Sequence, residues 1–205
     1  MTTQLFCRDL RGGDILLKVN AGSLTNRVIK TAQSMVRSTN PDVVHAGILF
    51  DATIIIEASG PGLSARDLRV QDKAFGYYVY RCSNTAMANG AGTCSKMFFD
   101  IQGRTKAMKY NLLGAAGSLF GNNSRPSSRD SMDTVLDKIL QGKGHPFFCS
   151  QFVVYVYQFV AEQNGITAAT LFNFSDAKVN PSILATSLMT HQLFTEVGYL
   201  MPNER

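Results

Sequence analysis

Short runs of apolar residues, bounded by glycine, proline or aspartate, dominate the first 81 residues of the chain and predict β-strands. The predicted strands cover residues 14–19, 43–50, 53–58 and 77–81. Only Asp51-Ala52 separates the second run from the third, so these two runs form a predicted β-hairpin. The polar stretch 64–73 is expected to cross the surface. The core sheet is therefore expected to have at least four strands.

Apolar residues at helical spacing predict helices elsewhere in the chain. The predicted helices cover residues 26–37, 91–109, 149–163 and 182–189, and one more begins at Asp130 or Ser131 and ends at Gly142. Residues 111–126, rich in glycine, serine and asparagine, predict a loop, and residues 193–197 predict a last strand. The run 149–163 is apolar on nearly every side, which is typical of a helix inside a core. This pattern indicates an α+β fold, which we expect to form a single domain over residues 1–205.

The composition fits one globular core, because 45% of the 205 residues are hydrophobic and 17% are charged. Four cysteines are too few for a disulfide scaffold, so we expect free thiols in a reducing compartment. Neither the cysteines nor the three histidines show the spacing of zinc ligands. No phosphate loop or dinucleotide-binding glycine motif occurs in the chain. We therefore expect neither a metal nor a cofactor.

The formal net charge of +5 favours anionic partners, but no block of five or more basic residues points to nucleic acid. The longest uncharged apolar stretch, 146–161, is shorter than the roughly 20 residues that a membrane-spanning helix needs. The chain starts without the basic and apolar segments of a secretory signal peptide. We expect synthesis in the cytoplasm, no membrane span and no nucleic-acid partner, while the oligomeric state stays open.

Cys149 is the candidate nucleophile because it opens the buried helix 149–163. The positive end of a helix dipole favours a thiolate, and the free N–H groups of the first turn can bind an oxyanion. A buried cysteine is more often a small apolar core residue, and this is the reading we give to Cys7, Cys82 and Cys94. Cys149 differs from these three because a turn of glycine, histidine and proline precedes it and leaves room at the helix tip.

His45 and Glu57 are the candidate partners of Cys149. A hairpin turn centred near Asp51 pairs residues whose numbers sum to 102, which places Glu57 directly opposite His45. A carboxylate among isoleucines is costly to bury without a partner, and an imidazole is such a partner. The three side chains would supply a nucleophile, a base and a residue that orients the base. His145, in the turn before the helix, is a rival base, although a loop holds geometry less well.

Short motifs resemble a known family when they are taken in chain order. They are Gly13-Asp14, His45-Ala46-Gly47-Ile48, Glu57-Ala58, Tyr80-Arg81 and Cys149-Ser150-Gln151. Together they resemble the circularly permuted papain-like hydrolases, the NlpC-type branch that includes the YiiX-like proteins and, more distantly, lecithin:retinol acyltransferase. The resemblance implies an antiparallel sheet or small barrel packed against a buried helix that carries the cysteine. It also implies Cys149 as nucleophile, His45 as base and Glu57 as third member, with a thioester intermediate.

The family's main substrate classes are peptidoglycan peptides and acylated lipids. We expect a cysteine amidase that acts on cell-wall peptides, in the manner of an antibacterial effector delivered to a target-cell periplasm by a specialised secretion system. An immunity or inhibitor protein is a partner consistent with that role. One alternative is a lipid or acyl-ester hydrolase or acyltransferase, with an acyl groove beside residues 112–120. Another alternative is a catalytically inactive binding module on the same fold.

Overall fold

A computed structural model describes residues 3–20, 43–59, 62–70, 75–102, 149–167, 171–172 and 179–201. The strands are β1 (Gln4–Leu5), β2 (Ile15–Asn20), β3 (Val43–Leu49), β4 (Ile54–Ser59), β5 (Gly62–Asp67), β6 (Phe75–Cys82) and β7 (Phe194–Leu200). The helices are α1 (Thr85–Ile101), α2 (Cys149–Gln163) and α3 (Pro181–Thr190). The predicted α+β class is confirmed by these elements.

The seven strands form one mixed sheet in the order β1-β7-β6-β2-β3-β4-β5. β1 runs parallel to β7, and every other neighbouring pair is antiparallel. Alternate strand residues divide between two apolar clusters, as the period of two in a strand requires. The larger cluster joins one set of strand residues to all three helices, and the smaller cluster packs the other set against the amino-terminal segment.

Most of the predicted elements that fall on described residues are confirmed. The first strand, the hairpin of β3 and β4, the buried helix α2 and the final helix and strand all lie within a few residues of their predicted bounds. The predictions for 26–37, 111–126 and the helix after Asp130 lie outside the described residues. None of the helices in the described part of the chain is long and apolar enough to cross a bilayer.

The prediction that residues 64–73 cross the surface as a polar stretch is wrong for residues 64–67, and residues 71–73 lie outside the described residues. Gly62–Asp67 forms β5, the edge strand that pairs antiparallel with β4 from Ile54 to Ser59. An edge strand has solvent along one side, so polar residues such as Ser64 and Arg66 suit it without disturbing the ladder. The hairpin is thus extended to three antiparallel strands.

The predicted helix over 91–109 begins earlier in the structure, because α1 spans Thr85–Ile101. The Asn84 side chain accepts a hydrogen bond from the Met87 N–H at 3.1 Å, which caps the helix. The first two turns contain mostly alanine and glycine, and these small residues give no periodic apolar signal. They let the helix approach closely: a Cβ on Gly92 would lie 3.0 Å from both the Gly13 nitrogen and the Leu49 carbonyl oxygen.

A buried ion pair joins the start of β2 to β6. Asp14, which is 1% exposed, accepts hydrogen bonds from Arg81 Nε at 2.8 Å and Nη2 at 2.6 Å. It also accepts one from the Arg11 backbone N–H at 2.9 Å. The same Arg81 nitrogen Nη2 donates to the Asp9 carbonyl at 2.8 Å. Short, two-pronged contacts of this kind are strong because both oxygens of the carboxylate are satisfied.

We expect Arg81→Met to lower the free energy of unfolding by about 3–5 kcal/mol, because it leaves Asp14 buried without its cation. Urea denaturation followed by circular dichroism measures this loss. Arg69→Met is the matched control, since the Arg69–Asp67 pair is exposed to solvent and its loss should cost much less. Equal losses in the two variants would contradict the structural role of the buried pair.

Candidate active site

Cys149 is the first residue of α2, a helix in which twelve of fifteen residues are buried. The cysteine itself is 7% exposed. The next side chain anchors this end of the helix, because the Ser150 hydroxyl donates a hydrogen bond to the Val179 carbonyl at 2.8 Å. The first N–H groups of a helix have no intrahelical acceptor, so the backbone around the thiol carries partial positive charge. The thiol thus lies at a fixed, electropositive helix end.

His45 lies on β3, and its side chain is 22% exposed. It pairs with Lys18 of β2, directly beside a register shift between Lys18 and Val19. Such a bulge increases the local twist and changes the direction in which a neighbouring side chain points. The Cys149 thiol lies close enough to the imidazole to raise its pKa, so the structure brings together two residues that are far apart in the sequence.

Glu57 completes the group from the neighbouring strand β4. Its side chain is 1% exposed, and its Oε2 atom lies 3.7 Å from His45 Nε2. The space for it is provided by Gly47, since a Cβ at that position would lie 2.9 Å from Glu57 Cγ. All three predicted site residues, Cys149, His45 and Glu57, are therefore in one place.

The predicted strand register is wrong by two residues. The observed pairs are Ile48↔Ile56 and Leu49↔Ile55, whose numbers sum to 104 rather than 102. The cause is the turn, in which the Asp51 carboxylate accepts hydrogen bonds from the Thr53 N–H at 2.7 Å and the Ile54 N–H at 2.8 Å. This Asx turn makes a three-residue loop, 51–53, which is centred on Ala52 instead of on Asp51. Glu57 consequently reaches His45 diagonally, past Gly47, instead of lying directly opposite.

The site holds His45 as an imidazolium. Burial alone would lower the pKa of His45, but the contacts with Cys149 and Glu57 outweigh it and raise the pKa from 6.5 to about 9. Part of this effect is electrostatic and comes from Cys149 and from the Glu57 carboxylate beside the ring. A thiolate facing an imidazolium is the reactive form of a cysteine nucleophile.

Arg66 is a member of the site that the sequence did not predict. It lies on β5, where it pairs with Ile55, and its Nε is 3.5 Å from Glu57 Oε2. Its side chain is 48% exposed, and its guanidinium contacts the buried carboxylate from the edge of the sheet. The sequence does contain one signal for this strand. The apolar residue Leu63 lies between the glycine-proline-glycine motif and Arg66, a pattern that fits an edge strand next to β4.

The remaining cysteines and histidines have other environments. Cys7, Cys82 and Cys94 are buried, and burial raises the pKa of the Cys82 and Cys94 thiols. His191 accepts a hydrogen bond from the Leu193 N–H through Nδ1 and donates to the Leu171 carbonyl through Nε2. The rival base His145 lies outside the described residues. Within those residues, no group of three or more histidine, cysteine or acidic side chains is arranged to hold a metal ion.

Gly47→Ala should disturb the site specifically, because the new Cβ would lie 2.7 Å from Ile55 and 2.9 Å from Glu57 Cγ. We expect a loss of about 1–3 kcal/mol in unfolding free energy and slower alkylation of Cys149 by iodoacetamide near neutral pH. Gly92→Ala is the control, since it crowds backbone atoms of Gly13 and Leu49 and leaves Glu57 untouched. Equal slowing in both variants would show that reduced stability alone is responsible.

The His45 ring should titrate with a midpoint near pH 9, so it stays protonated at neutral pH and loses its proton as the pH rises through that value. Cys149→Ala and Glu57→Gln each remove a contact that raises the pKa, so each should lower the midpoint. Proton NMR of the imidazole C2–H, assigned with His45→Gln, measures the three midpoints. A wild-type midpoint near 6.5 would contradict the observed contacts.

Comparison with known proteins does not identify the chain: no family model matches it, and no significant match occurs among curated proteins. The likeness of its motifs to the permuted papain-like hydrolases therefore stays a prediction. What the chain does must be argued from the geometry around Cys149, His45 and Glu57.

Proposed function

We propose that the protein is a cysteine hydrolase of the permuted papain-like type, which cleaves amide bonds through a thioester intermediate. One observation carries the proposal. The Cys149 thiol, at the start of a buried helix, lies close enough to His45 to raise its pKa, and His45 Nε2 faces the buried carboxylate of Glu57. A nucleophile, a base in contact with it and a third group in contact with the base are the parts that acyl transfer needs.

The proposed first half-reaction forms the acyl-enzyme. The Cys149 thiolate attacks the carbonyl carbon, and the electron pair of the C=O bond moves to the oxygen. N–H groups at the start of α2 are placed to stabilise this oxyanion. When the C–N bond breaks, the His45 imidazolium gives its proton to the departing amine. The products of this half are a free amine, a thioester on Cys149 and a neutral imidazole.

The second half-reaction releases the acid. Neutral His45 takes a proton from water, and the resulting hydroxide adds to the thioester carbonyl. Collapse of the tetrahedral intermediate breaks the C–S bond, which restores the thiolate beside an imidazolium and frees a carboxylic acid. Glu57 stabilises the imidazolium and fixes the ring orientation through both halves.

The substrate class that we propose is the peptide portion of bacterial peptidoglycan. The net charge of +5 supports it, because a basic protein is attracted to an anionic cell-wall polymer. Isolated peptidoglycan, incubated with the protein and analysed by mass spectrometry, should release amine and carboxyl ends that Cys149→Ala does not release. Vesicles of phospholipid, incubated in parallel, test acyl-ester cleavage, and cleavage of lipid alone would overturn the peptide substrate.

The reactivity of Cys149 tests the enzyme class without a known substrate. Iodoacetamide near neutral pH should label Cys149 at least about tenfold faster than Cys7, Cys82 or Cys94, because only this thiol has a histidine to ionise it. Peptide mapping by mass spectrometry measures the four rates. His45→Ala should remove the preference, and Glu57→Gln should reduce it.

Two outcomes of the labelling experiment would contradict the proposal. Equal labelling of the four cysteines in the wild-type protein would favour a catalytically inactive binding module. An unchanged preference for labelling Cys149 in His45→Ala would mean that another group acts as the base. A variant of His145 would then be the first to test.

A further inference from the structure

Two cations share one oxygen of Glu57. Arg66 Nε lies 3.5 Å and His45 Nε2 lies 3.7 Å from Oε2. The other oxygen, Oε1, is buried and has no hydrogen-bond partner among the described residues. The charge of this carboxylate, which is 1% exposed, is therefore balanced at a single atom by two groups on neighbouring strands.

The two cations differ in chemistry. An arginine guanidinium remains charged at every pH that a protein tolerates, whereas an imidazole gains and loses its charge. When His45 is neutral, Arg66 is the cation within 4.0 Å of Glu57 in the described part of the chain. A buried carboxylate without a cation is costly and tends to take up a proton instead.

We propose that Arg66 is a positioning residue that shares the Glu57 carboxylate with His45 and thereby eases the loss of the His45 proton. This inference rests on the proposed hydrolase function, and it adds a fourth member to the site. In the first half-reaction the proton leaves His45 for the amine. Because Arg66 also contacts Glu57 Oε2, the carboxylate holds the imidazolium less tightly when the amine takes this proton.

Arg66 has a second effect on the same proton. Its positive charge repels the positive charge of the imidazolium, and this adds to the effect of the carboxylate that the two cations share. Both effects make His45 a better proton donor. Removing the charge of Arg66 should therefore make the imidazolium harder to deprotonate, so that the thiolate forms readily but the leaving group receives its proton more slowly.

The other charged groups around His45 are few within the described residues. Cys149 faces it from α2, Glu57 from β4 and Lys18 from the paired position on β2. α3, which also packs against β3, has no titratable side chain between Pro181 and Thr190. A shift in the titration of His45 on changing Arg66 can thus be assigned to the Glu57 carboxylate that the two cations share.

The test compares Arg66→Met, Arg66→Lys and Arg69→Met in the full chain. In Arg66→Met, the NMR midpoint of the His45 ring should rise by about half a pH unit or more. Arg66→Lys restores a cation and should return the midpoint toward the wild-type value. Arg69→Met removes an arginine that pairs with Asp67 instead of Glu57, so its midpoint should equal that of the wild type. Arg66 is half exposed, and circular dichroism with urea unfolding checks that the variants are folded.

An unchanged or lower midpoint in Arg66→Met, or the same shift in Arg69→Met, would overturn the inference.

The pH above which peptidoglycan cleavage declines should rise in Arg66→Met by the same amount as the midpoint of His45. The maximal rate of cleavage should fall severalfold. If the midpoint rises and Arg66→Lys reverses it, the charge coupling is established even where no substrate is cleaved. If no substrate is cleaved, the proposed hydrolase function is contradicted, but the electrostatic effect of Arg66 on His45 is still supported.

Discussion

The burial of carboxylates inside one sheet is the constraint on which the arrangement of this protein depends. Asp14 and Glu57 are each 1% exposed, yet they are neutralised in different ways. Asp14 receives two short bonds from Arg81 and one from a backbone N–H, so both of its oxygens are satisfied. Glu57 has only the longer contacts to His45 and Arg66, and one oxygen is left without a partner among the described residues. The first pair can only hold the structure together, whereas the second can respond to a proton.

The satisfied pair explains why a short segment before β2 matters to the whole fold. Gly13 has φ = +87°, and a Cβ there would lie 2.0 Å from the Ala88 carbonyl oxygen of α1. Its own carbonyl accepts a hydrogen bond from the Tyr157 hydroxyl of α2. One glycine therefore connects the sheet, through Asp14 and Arg81, with two of the helices. The Gly13-Asp14 and Tyr80-Arg81 motifs have a structural role here that is separate from the chemistry of Cys149.

The sequence allowed most of the site to be predicted because its residues lie in strongly patterned elements. Cys149 opens an all-apolar helix, and His45 and Glu57 lie in two apolar runs with a short turn between them. The wrong register did little harm, because an error of two residues keeps every side chain on the same side of its strand. Its source was the hydrogen bonding of Asp51, a local side-chain effect that residue pattern alone does not reveal.

Arg66 could not be predicted in the same way, because its role depends on the position of a third strand. A polar segment after a glycine-proline-glycine turn is compatible with a surface loop and with an edge strand, and only the pairing of Ile55 with Arg66 distinguishes the two. Because Glu57 pairs with Ser64, this register places a permanent cation two residues along from the position opposite the buried carboxylate. The cost of burying Glu57 is then divided between a group whose charge is fixed and a group whose charge changes. Glu57 thus keeps one permanent cation beside it whatever the charge of His45, and this property follows from the sheet as much as from the three residues at the centre of the site.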